Sequence, residues 1–70
     1  MKLSARNQLK GLIREINEGP INSEVEIEIA PDVRIWAQIS TRSVKSLALE
    51  VGMPAYAVIK IDSVMVGVDD

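Results

Sequence analysis

At 70 residues, with no cysteine and no histidine, the chain has room for a single domain that neither a disulfide nor an ordinary structural zinc site can staple. A domain of this size buries only about 60% of its unfolded surface, yet 47% of the residues are apolar, so a partner subunit is the natural source of further burial. The formal charge of −2 argues against a general nucleic-acid binder, although Lys2, Arg6, Lys10 and Arg14 place four of the eight positive charges ahead of the first carboxylate, Glu15.

Residues 9–18 read as a first strand, with Leu12 and Ile16 on one face and Leu9, Gly11 and Ile13 on the other. Leu9, Leu12, Ile13 and Ile16 would also suit a helix. Gly11 favours the strand, where it marks a bulge or a close backbone approach. Glu18, Gly19 and Pro20 make a turn. Residues 21–30 form a second strand on period-two alternation, with Val25, Ile27 and Ile29 on one face and Glu24, Glu26 and Glu28 on the other. The glutamate row resembles a set of metal ligands, but a solvated strand face is the better account. After the Pro31-Asp32 turn, Val33, Ile35, Ala37 and Ile39 alternate with Arg34, Trp36 and Gln38, which completes a hairpin and sets Glu26 or Glu28 near Arg34 or Gln38. Trp36 falls on the polar face and needs covering.

The period then changes. Val44, Leu47, Ala48 and Val51 recur at helical spacing, with Ser40, Thr41 and Ser43 as candidate caps and Gly52 as the stop. Pro54 precedes a fourth strand over residues 56–61, and residues 64–68 supply a fifth after Asp62 and Ser63. The expected fold is all-β, a five-stranded barrel of the oligonucleotide/oligosaccharide-binding kind over residues 1–70, with one short helix between strands three and four. An SH3-like barrel is the nearest competitor.

Catalysis has little material, since histidine and cysteine are absent and no enclosed carboxylate pair is evident, so an enzyme is not expected. Anion binding has three candidates. The run Ser4, Ala5, Arg6, Asn7, Gln8 offers a hydroxyl, a guanidinium and two amides, although such runs are usually just solvated. Ser40, Thr41, Arg42 and Ser43 open the helix, where ordinary capping competes with anion binding. Lys60 interrupts an apolar strand, sharing its alternation with Tyr56 and Val58, and is either an edge gatekeeper or a ligand.

These patches are similar to those of the molybdenum-pterin-binding proteins, or molbindins, built from a single mop domain. The resemblance rests on Ser4-Ala5-Arg6-Asn7-Gln8-Leu9-Lys10-Gly11, on Ser43-Val44-Lys45 with Leu47 and Leu49, and on Tyr56-Ala57-Val58-Ile59-Lys60 followed by Ser63-Val64-Met65-Val66-Gly67. It implies binding of molybdate or tungstate as free oxyanions in the cytoplasm, for storage or homeostasis, by a homo-hexamer arranged as a trimer of dimers with ligands between subunits. Carried over by position, Ser4, Arg6 and Lys60 contribute from one subunit, with backbone N–H groups near Arg6 and Ile61, and Ser40 and Ser43 from its neighbour. No redox cofactor is implied. Ser40 stands where the family often has threonine, and Trp36 where it often has a smaller residue. No long apolar h-region or membrane-length apolar stretch is present, so neither a signal peptide nor a membrane span is expected. Two other readings predict no anion dependence: a nucleic-acid-binding barrel, which would need a basic groove with stacking aromatics, and a protein-interaction module.

Overall fold

The computed structural model describes residues 3–70, so Lys2 lies outside the described residues. Four strands, β1 (Asn7–Glu18), β2 (Asn22–Ala30), β3 (Val33–Ser40) and β4 (Pro54–Ile59), form one antiparallel sheet in the order β3-β2-β1-β4. A helix, α1 (Thr41–Ser46), follows β3, and a single tight turn at Ile61–Ser63 follows β4. The sheet does not close. This corrects the expected five-stranded barrel: the domain is an all-β open half-barrel whose β3 and β4 edges stay apart. Residues 64–68 have strand composition but form no strand, because a fifth strand needs a ladder partner that the chain does not give them. Instead Met65 and Val66 are each 92% exposed and Val68 is 89% exposed.

The first element is a strand, and its alternation is irregular for a definite reason. Ile13 pairs with Ile27 and Ile16 with Val25, but the register shifts between Ile13 and Glu15. The extra residue, Arg14, is a β-bulge, which changes the phase of the alternation so that Ile13 and Ile16 both reach the interior. The expected grouping of Ile16 with Leu12 is thereby overturned, and Leu12 is exposed. Next to the bulge, the backbone of Ile13 is taken up by the loop after α1: its N–H donates to the Met53 carbonyl at 3.0 Å and its carbonyl accepts from Gly52 N–H at 2.7 Å. Gly52 makes this approach at φ 95°, a conformation that suits glycine. Ile13, Val25, Ile27, Val44 and Ala57 form the core, with Ile35, Ile39, Leu49 and Met53 packed against them.

Gly11 is a point of close approach, as the sequence suggests. A Cβ built there would run into the carbonyl oxygen of Glu28 and lie 2.9 Å from Ile27 Cγ2. Here β1 passes from pairing with β4, through Gly11 opposite Ala55, to pairing with β2, through Leu12 opposite Glu28.

The β2–β3 hairpin turns through Pro31 and Asp32, the latter at φ 63°. On its outer face Glu28 opposes Arg34 and Glu26 opposes Trp36. The glutamate row is not a plain solvated face. Glu24 is exposed, but Glu26 is only 8% exposed beneath Arg34, whose Nη1 lies 3.4 Å from Glu26 Oε1, while Glu28 lies between Arg34 at 3.7 Å and Arg14 at 3.8 Å. Trp36 stays 50% exposed.

The helix spans six residues, close to the two turns expected, but it ends earlier in the chain than the expected stop at Gly52. Leu47 is the C-cap, and Ala48 takes the left-handed conformation at φ 52°. Ala48 N–H donates to the Lys45 carbonyl at 3.1 Å and Leu49 N–H to the Val44 carbonyl at 3.0 Å, the paired bonds of a Schellman end. Ala48 is therefore a stop, and Gly52 belongs to the loop beyond. A left-handed alanine is unfavourable relative to glycine. Ala48→Gly is accordingly expected to raise stability by about 0.5–1 kcal/mol, seen as a higher urea midpoint with an unchanged m-value.

Candidate functional site

The β1–β4 register builds the first half of the site. Pairing begins at Asn7 opposite Ile59, so one step further along the antiparallel ladder sets Arg6 against Lys60. Lys60 lies just past the end of β4, an edge strand that stops one residue before it, so it does not interrupt the strand. The segment before β1 is braced by Gln8, whose side-chain Nε2 donates to the Ala5 carbonyl at 2.8 Å. Gln8 thus holds the Arg6 segment in place with one of its two amide N–H groups. The outcome is an open depression lined by Ser4, Arg6, Lys60, Ile61 and Asp62, with Ala5 and Val58 as its apolar walls. Two residues that carry cations and one that carries a hydroxyl line one space, whose walls are mostly apolar. Asp62 was not foreseen: in the sequence it reads as a break between strands, and only the turn at Ile61–Ser63 returns it to the rim.

The second half lies elsewhere. Ser40 ends β3 opposite Asn22, beside the β1–β2 turn, whereas Arg6 precedes the other end of β1. Roughly 40 Å of strand separates these positions along β1, so one small anion cannot touch both within a chain. At α1 the hydroxyls divide their work. Ser40 Oγ accepts from Ser43 N–H at 3.0 Å and is 2.8 Å from Ser43 Oγ. Thr41, a candidate cap by sequence, is buried instead: its Oγ1 donates to the Gly19 carbonyl at 2.6 Å and is bonded to Ser23 Oγ at 2.7 Å, while its N–H donates to the Ile21 carbonyl at 2.8 Å. Two of the first three helix amides, those of Thr41 and Ser43, are therefore already satisfied. A free helix terminus is not what this end offers. Since one hydroxyl of the Ser40–Ser43 pair donates to the other, one O–H remains to point outward.

Elsewhere the chemistry is sparse. Among the described residues no three carboxylates gather as a metal-ion site, and no helix is long and apolar enough to cross a membrane. Trp36 sits over the ion-paired glutamates of β2 rather than in a basic groove, which does not suit stacking on a nucleic-acid base.

Comparison with known proteins gives the family. The TOBE domain family model matches residues 3–66. A probable molybdenum-pterin-binding protein of Haemophilus influenzae is 51% identical over 69 residues, covering 99% of this chain and 100% of that protein. Among solved structures, MopII from Clostridium pasteurianum superposes with a TM-score of 0.89 at 39% identity, covering 96% of this chain and 100% of that one. The cytoplasmic molybdate-binding protein ModG, solved with molybdate bound, superposes with a TM-score of 0.80 at 37% identity, covering 86% of this chain and 43% of that one. The chain belongs to the molybdenum-pterin-binding, or molbindin, family of TOBE-domain proteins. The relatives that it matches over their full length are named for binding molybdenum-pterin.

Proposed function

We propose that this protein binds molybdate or tungstate as the free oxyanion in the cytoplasm, for storage or homeostasis. The observation that carries the reading is that Arg6 and Lys60, which flank the end of the β1–β4 ladder, line one depression with Ser4. Two cationic side chains balance a doubly charged tetrahedral anion, and hydroxyl and N–H donors, including those near Arg6 and Ile61, direct hydrogen bonds to separate oxygens. The remaining donors come from Ser40 and Ser43 of a second copy. A site shared in this way favours the assembled state by mass action when ligand is present.

The assembly in this reading is a homo-hexamer, a trimer of dimers. The unfinished barrel supports self-association, and the number six comes from the family resemblance. The gap between β3 and β4 is lined by Ile35, Ala37 and Ile39 on one side and by Tyr56 and Val58 on the other, and the exposed apolar segment 64–68 has the composition of a strand that would fill such a gap in a neighbouring copy. Deleting residues 64–70 is expected to reduce the mass seen by sedimentation and to abolish molybdate binding together. An undiminished assembly would remove the tail from this account.

Isothermal titration with molybdate, with sulfate as competitor and sites per chain as the readout, tests the function itself. Saturable binding that survives excess sulfate supports a selective oxyanion protein. No binding by the folded oligomer would shift the reading to an interaction module.

A further inference from the structure

We propose that Asp62 is a charge-selecting residue of the anion depression, opposing doubly charged oxyanions more than singly charged ones; the inference rests on the oxyanion-binding reading above. Asp62 lines the same depression as Ser4, Arg6 and Lys60. Its backbone is held at the rim by the turn after β4, in which Ser63 N–H donates to the Lys60 carbonyl at 3.0 Å and Val64 N–H to the Ile61 carbonyl at 3.3 Å. Among the described residues the ion pairs join Arg14 and Arg34 to Glu26 and Glu28, and neither Arg6 nor Lys60 is paired with Asp62. The carboxylate therefore adds its own negative charge to the site without cancelling one particular cation.

A deprotonated carboxylate and a deprotonated tetrahedral oxyanion are both acceptors only, so no hydrogen bond joins them. What remains between them is Coulomb repulsion, which doubles in free energy when the ligand charge doubles at fixed shape. Asp62 consequently lowers the retention of a dianion and narrows its advantage over a monoanion of the same geometry. It leaves two dianions, such as molybdate and sulfate, equally penalised. Size discrimination belongs to other residues, while Asp62 sets how firmly any dianion is held.

Molybdate and perrhenate, tetrahedral anions of similar size with charges of −2 and −1, are suitable probes. With the intact oligomer, Asp62→Asn is expected to tighten molybdate binding about 3- to 10-fold at low salt and perrhenate binding by only about the square root of that factor, both gains shrinking as ionic strength rises. Asp62→Glu, which keeps the charge, should stay near the wild type for both anions. Equal gains for the two anions, or no gain for molybdate in an unchanged oligomer, would overturn the proposal. A wild-type protein that binds neither anion would instead overturn the oxyanion reading and this inference with it.

Discussion

An Arg6→Ala chain is expected to bind molybdate about 10- to 100-fold more weakly than the wild type, the loss that follows when a charge-assisted hydrogen bond to an anion is removed. Arg14 is the matched control. It also lies on the amino-terminal basic run, but its guanidinium is half exposed and 3.8 Å from Glu28, far from the depression, so Arg14→Ala should change affinity less than twofold. Titration of both variants with molybdate, alongside sedimentation to confirm the same assembly, makes the comparison. Equal small losses in the two variants would remove Arg6 from the site.

A second large effect is expected at Gly11, where stability rather than binding is at stake. Gly11→Ala puts a methyl group against the Glu28 carbonyl, a backbone atom that cannot swing aside as a side chain would. Either β1 or β2 must shift where β1 changes partners, and both flank Ile13, which has no exposed surface. The expected cost is about 2–3 kcal/mol, measured as a fall in the urea midpoint at fixed protein concentration. A loss below about 0.5 kcal/mol would mean that the two strands are further apart than described.

Much of the fold was legible because period-two alternation survives wherever one sheet face is buried. The β2–β3 hairpin followed directly from Val25, Ile27, Ile35 and Ala37. The alternation fails at Arg14, because a one-residue bulge leaves no mark in composition and reverses the phase of everything after it. The end of the helix is hidden for a related reason: Leu47 and Val51 have helical spacing, and an alanine is not normally a left-handed stop. Residues 64–68 misled in the opposite way. Their β-forming composition is genuine, but strand formation depends on a ladder partner, and sequence pattern does not say which chain supplies it.

The candidate site was legible only in pieces. Arg6 and Lys60 are more than fifty positions apart, and no local pattern joins them; the resemblance paired them, and the β1–β4 register gives the physical reason. Three hydroxyls at the start of α1 read alike in sequence, yet they separate into a cap at Ser40, a buried bond at Thr41 and an outward pair at Ser40 and Ser43. Only burial distinguishes them.

The Thr41 bonds carry a consequence for how the site holds together. A six-residue helix has too few internal hydrogen bonds to persist alone in water. Its first residue is tied by side chain and backbone to Gly19, Ile21 and Ser23, so α1 and the β1–β2 turn open as one cooperative unit rather than by fraying from the helix end. Ser40 and Ser43 stand on that unit. Their hydroxyls are therefore presented with the rigidity of the sheet, and in the shared site proposed above a ligand would meet a preorganised surface whose ordering cost was already met when the chain folded.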